Sequence, residues 1–123
     1  MPFAASFDHA LNLFTSFGLF DSDEEHQMMI DSMALALKPG GSLIMDLVHR
    51  DYIATQASEK TWYELDDGNT VLRSFHFDPL SGRSVESVRL RSTAPEQETV
   101  EKHWSCRIFT ATEIDRMLWA GGL

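Results

Sequence analysis

Asp46 interrupts an otherwise apolar run, Ser42-Leu43-Ile44-Met45-Asp46-Leu47-Val48, and three chemically capable side chains, His49, Arg50 and Asp51, follow at once. A carboxylate buried in such a run must find a partner or shift its pKa. Arg50 or a loop amide can supply that partner and make Asp46 a structural group. The other reading of Asp46 is a general base. A strand that empties into a polar loop is also how an open α/β sheet delivers residues to a ligand.

The remaining reactive residue types reduce to structure. The histidines His9, His26, His49, His76 and His103 show no His-x-x-x-His spacing and no Cys-His pairing, so no metal site is expected. Asp21, Asp23 and Glu25 imitate the start of a calcium loop but lack its glycine and distal glutamate. Cys106 is the single cysteine, which excludes an internal disulfide and agrees with a reducing compartment. It alternates with Val100, Lys102, Trp104 and Ile108, a strand pattern that favours a buried apolar role over a nucleophile. Arg73, Arg89, Arg91, Lys102 and Arg107 make up half of the ten basic residues. They could face an anionic ligand, although cross-strand pairing with Glu64, Glu86 and Glu101 is the commoner outcome.

The elements that must position these groups follow from periodicity. Residues 7–14 form a short apolar run, as expected of a strand buried on both faces of a parallel sheet. Ser22 with Glu25 reads as a capping box, and Met29, Ile30, Met33, Ala34 and Leu37 follow helical spacing over residues 24–38, widened by Met28 and Leu35. Lys38-Pro39-Gly40-Gly41 reads as a helix stop with a left-handed Gly40, and residues 42–48 as a second buried strand, which completes a βαβ unit. After a polar stretch at 54–60 the period switches to two, with turns at 66–69, 78–82 and 92–98, and predicts an antiparallel meander. Thr110 with Glu113 caps a last helix whose Ile114, Met117 and Leu118 share a face.

With 123 residues, 43% hydrophobic and 11% aromatic, the chain is expected to be one domain: a βαβ core over 1–53, a meander over 61–109 and a helix over 110–122. The net charge of −9 opposes binding to nucleic acid. No apolar run approaches the roughly 20 residues needed to cross a bilayer, and the start lacks a signal-peptide pattern. A cytoplasmic protein with no membrane partner is expected.

Taken in order, Pro2-Phe3, Phe7-Asp8, Asn12-Leu13-Phe14-Thr15-Ser16-Phe17-Gly18, Leu37-Lys38-Pro39-Gly40-Gly41, and Asp46 with Arg50-Asp51 resemble class I S-adenosylmethionine (SAM)-dependent methyltransferases. The resemblance resumes at Asp78-Pro79, Ser81-Gly82-Arg83, Arg107-Ile108-Phe109-Thr110, Glu113-Ile114, Leu118 and Ala120-Gly121. It implies an α/β, truncated Rossmann-like methyltransferase fold in which the two apolar strands correspond to the fourth and fifth of seven. The 123 residues contain no Gly-x-Gly segment. In the family that loop grips the cofactor, so it and the ribose-binding acid are expected upstream of Met1, with the last two strands beyond Leu123.

What the resemblance implies is a fragment or truncated relative of a SAM-dependent small-molecule methyltransferase, not catalytically competent alone. The alternative is a non-catalytic, self-associating binding module. Residual cofactor contacts fall to Asn12, Leu13, Phe14 and Thr15, and substrate contacts to Phe17, His49 and Arg50, while Leu13, Phe14 and Phe17 equally suit plain core. His49 stands where the family pattern often has asparagine. SAM, the implied cofactor, is expected to bind weakly or not at all. Because the family partners of both strands are missing, a homodimer or larger assembly is expected, or a partner supplying the N-terminal half.

Overall fold

The computed structural model describes residues 3–56, 58–94 and 99–123, so Pro2 of the family pattern and residues 95–98 of the third turn lie outside the described residues. The element order is β1 Phe7–Asn12, α1 Asp23–Ala36, β2 Leu37–Met45, α2 Arg50–Thr55, β3 Glu59–Glu64, β4 Thr70–Asp78, β5 Arg83–Arg91, β6 Val100–Arg107 and α3 Ala111–Ala120. β1 and β2 pair in parallel, and β3-β4-β5-β6 form a four-stranded sheet with antiparallel hairpins. The predicted α/β order of βαβ unit, meander and C-terminal helix is therefore present. By its contacts the chain divides into two compact units, one comprising the segment up to Asp51 with Arg107–Leu123, the other Tyr52–Cys106.

In the first unit both predicted capping boxes form. Ser22 Oγ accepts from the Glu25 amide while Glu25 Oε2 accepts from the Ser22 amide, and Thr110 and Glu113 repeat the arrangement at α3. Such caps contribute about 1 kcal/mol each. α1 buries His26, Ile30, Met33 and Ala36. Phe17, Ile30, Met33 and Phe109 form the core, with Leu43, Met45 and Leu47 of the strand segment and Ile114, Met117 and Leu118 of α3 packed on it. Met28 and Leu35 do not widen the buried stripe. They are exposed, because the helical period places them opposite His26, Ile30 and Met33.

The helix stop needs correction. α1 ends at Ala36 with an extended Leu37 as its C-cap, and Lys38-Pro39-Gly40-Gly41 lies inside β2. The ladder runs from Phe7 opposite Leu37 directly to His9 opposite Ser42, so these residues form an irregularity that bulges out of the pairing. Gly40 is left-handed as predicted, at φ +80°, but in the bulge rather than at a helix cap. A Cβ on Gly41 would lie 2.9 Å from the Lys38 carbonyl oxygen and 3.0 Å from that of Asp8, so close backbone approach requires glycine there.

Both parallel strands end earlier than predicted, at Asn12 and Met45, and are not buried on both faces. Leu43 and Met45 face the core with Ala10 and Asn12 opposite them, whereas His9, Leu11, Ser42 and Ile44 are exposed. A two-stranded sheet covered on one side cannot bury both of its faces.

In the second unit Leu72 pairs with both Trp62 and Arg89, and Ser74 with both Lys60 and Ser87, which fixes the meander register. The 66–69 turn closes through the Leu65 amide on the Asn69 carbonyl, with Gly68 at φ +80°. The helix α2 was not expected: it covers the beginning of the stretch read as polar loop. Arg73 pairs with Glu86, and Arg89 with Glu101 at 2.7 Å, the cross-strand outcome foreseen for the basic residues. The Glu86 hydrogen bond raises the Arg73 pKa further. Cys106 is half-buried, and burial pushes its thiol pKa up, away from thiolate chemistry. Among the described residues no helix is long and apolar enough to cross a membrane.

Candidate functional site

Where β1 ends, the backbone turns abruptly. Phe14 and Thr15 take φ of 58° and 55°, consecutive left-handed residues at positions where neither side chain favours that conformation. Strain of this kind costs roughly 1–3 kcal/mol per residue and persists only where surrounding contacts enforce it. The segment after β2 supplies those contacts. The Asp46 amide donates to the Asn12 carbonyl at 2.8 Å, the Thr15 amide to the Asp46 carbonyl at 3.0 Å, and the Phe14 amide to Asp46 Oδ2 at 3.2 Å. Thr15 Oγ1 in turn accepts from the Val48 amide at 3.1 Å.

Asp46 is therefore exposed and bound to a loop amide, not a buried carboxylate. Asn12 is buried, with its Oδ1 accepting from the Ser16 hydroxyl at 3.2 Å. The side chains of Asn12 and Thr15 thus make the turn, and Leu13 and Phe14 are what the turn presents. Phe14 is 89% exposed. Phe17 has the opposite environment: at 1% exposure it sits 5.0 Å from the His26 ring and 5.3 Å from that of Phe109. It is a core residue in this structure.

His49 is exposed and Arg50, the first residue of α2, half-buried. A shallow cavity of about 350 Å³ beyond the end of β2 is lined by Met45, Val48, His49, Phe109, Ile114 and Asp115 among others. The structure brings His49 to that cavity and keeps Phe17 out of it.

Two groups went unread in the sequence. Arg107, assigned to the meander, places its guanidinium 3.4 Å from Asp23 and 2.6 Å from Glu113, over the Phe109 ring. It thereby joins the starts of α1 and α3. Burial alone would raise the Glu113 pKa, but the Thr110 amide, Arg107 and the Thr110 hydroxyl outweigh it and hold the carboxyl at about 2. His26 is fully buried within Phe17, Phe20 and Phe109, its Nδ1 2.6 Å from the Ser22 carbonyl oxygen. Its spacing of four from the N-cap was the available signal. Among the described residues no group of three or more His, Cys, Asp or Glu could hold a metal ion.

No protein-family model matches the sequence, and no curated protein matches it. Solved structures do. A SAM-dependent methyltransferase from Clostridium acetobutylicum superposes over 98% of this chain and 49% of its own, with a TM-score of 0.79 at 13% identity. A SAM-bound amino pentose methyltransferase from Micromonospora echinaspora matches 99% of this chain and 52% of its own, at TM-score 0.72 and 17% identity. A sugar N-methyltransferase from a Streptoalloteichus species covers 95% and 48%, at 0.69 and 19%. This chain carries about half of a class I SAM-dependent methyltransferase fold.

Against that methyltransferase fold the donor set is informative. Phe14 offers an apolar, electron-rich ring at the carboxyl end of a parallel strand, and Leu13 is exposed beside it. An aromatic face suits a sulfonium cation. Phe14 and Leu13 thus have the chemistry that such a cation would need on one side.

Proposed function

We propose that this chain supplies one half of a SAM-dependent small-molecule methyltransferase site and is not catalytically competent alone. The observation that carries this reading is the strained Phe14-Thr15 turn, tied to residues 46–48 and holding the Phe14 ring in solvent. Backbone strain at the carboxyl ends of parallel strands is where an open α/β sheet meets its ligand. When bound, SAM supplies a methyl group activated on sulfur for in-line displacement, and the protein contributes alignment. Here Phe14 and Leu13 would flank the cofactor, Asn12 and Thr15 would hold the turn that presents them, and His49 and Arg50 would face the acceptor. The amino pentose and sugar N-methyltransferases among the structural neighbours support a small, polar acceptor.

Titration of SAM into the isotopically labelled chain tests this. Amide shifts confined to Leu13, Phe14, Thr15 and residues 46–50, at cofactor concentrations of about 1 mM or more, are expected. Shifts centred elsewhere, or none at about 10 mM, would exclude the cofactor role.

A second reading, a self-associating module, is favoured by the bare sheet face. Leu11 and Ile44 are exposed side by side, and among the described residues β1 and β2 pair as strands only with each other. A homodimer or larger assembly would cover them. Sedimentation equilibrium at micromolar concentration distinguishes such an assembly from a 13.9 kDa monomer.

A further inference from the structure

One face of the meander carries an apolar surface that its register does not explain. Trp62 is 68% exposed, and its cross-strand partner Leu72 is exposed as well, although the solvent face of an antiparallel sheet is ordinarily polar. Around that pair the side chains are polar and fixed. Ser74 Oγ and Ser87 Oγ stand 2.6 Å apart, in the row next to Trp62 and Leu72. On the far side of Leu72, Arg89 Nε and Nη2 both donate to Glu101 Oε2, at 3.0 and 2.7 Å. These groups, with Lys60, line a depression of about 330 Å³, at the small end of the range for ligand sites.

We propose that this depression is a binding site for a neutral sugar ring. An indole plane beside Leu72 provides the apolar platform on which the C–H face of a pyranose lies. A sugar presents donors and acceptors all round its rim, and the depression offers both kinds on rigid strands: two serine hydroxyls, an ammonium, two guanidinium groups and a carboxylate. Strands about 4.8 Å apart place the Trp62 and Glu101 ends of the row about 14 Å apart, room for one ring and its hydroxyls. A phosphorylated ligand is the poorer match, because Glu101 and Glu86 neutralise Arg89 and Arg73, which leaves Lys60 as the one lining cation outside these two pairs, and the chain carries −9 overall. The site lies wholly within the meander unit and does not depend on the methyltransferase reading.

The test is a titration of the full labelled chain with methyl glucoside, methyl galactoside and N-acetylglucosamine, followed at the indole N–H resonances of Trp62, Trp104 and Trp119. The expected result is a saturable indole shift at Trp62 alone, with half-saturation at about 1–10 mM. The accompanying saturable shifts at the Leu72, Ser74 and Ser87 backbone amides are lost in Trp62→Ala, retained but weaker in Trp62→Phe, and weakened about fivefold in Ser87→Ala, with the amide spectrum away from the depression unchanged. An unmoved Trp62 resonance with every sugar up to about 100 mM overturns the proposal. So do equal shifts at all the indoles, or a Trp62 shift that tracks protein concentration without sugar, which would mean a second copy covers the face.

Discussion

The Phe14 amide donates to Asp46 Oδ2 at 3.2 Å, so the carboxylate that interrupts the second apolar strand holds the turn that ends the first. Its role is to stabilise a strained backbone. Asp46→Ala should therefore lower stability by about 1 kcal/mol and speed hydrogen exchange at the Phe14 amide selectively. Unchanged exchange at Phe14 would mean that the Thr15 amide bond to the Asp46 carbonyl fixes the turn unaided.

Phe14→Gly separates strain from function. Glycine adopts φ near +58° without a Cβ penalty, and the lost ring is almost wholly in solvent. The variant should match or exceed the parent's denaturation midpoint, by up to about 1 kcal/mol, while SAM no longer shifts the neighbouring amides. A large loss of stability would show that the ring packs on something the chain needs.

The two bulge glycines should differ. Gly40 needs its positive φ but has open space around it, so Gly40→Ala should cost about 1 kcal/mol. Gly41→Ala forces a Cβ against two carbonyl oxygens and should cost about 2 kcal/mol or more. Urea denaturation giving the reverse order would refute the bulge geometry.

Glu113 predicts a pH dependence. Its carboxyl is held at about 2 against an ordinary 4.5, so ionisation favours the folded state above pH 4.5. That contribution is lost as the pH falls from 4.5 towards 2 and, allowing for partial solvent screening, amounts to about 1–2 kcal/mol. Glu113→Gln should lower stability at neutral pH and flatten the acid limb. Parallel acid profiles for parent and variant would contradict it.

Local chemistry made much of the fold legible. The Ser22-Glu25 and Thr110-Glu113 boxes lie within four residues of chain, and the meander follows a period of two over four strands. The left-handed turn was not legible, because neither Phe14 nor Thr15 carries a propensity for it and its cause, residues 46–48, lies more than thirty positions away. For the same reason Lys38-Pro39-Gly40-Gly41 read as a helix cap: glycine signals a positive φ, and only the pairing with β1 reveals a bulge. Arg107 sits in a strand pattern, and its distant partner Asp23 became visible only once the two helix starts were brought together.

Phe14 and Leu13 are proposed to form one wall of a SAM site, in 123 residues that hold no Gly-x-Gly segment to grip the cofactor. Calorimetric titration of SAM into the 123-residue chain tests this most directly. The account predicts a Kd weaker than about 10 μM, less than about 7 kcal/mol of binding free energy. A Kd of about 10 μM or tighter would contradict it, because that affinity requires contacts to the cofactor that a single wall at Phe14 does not provide.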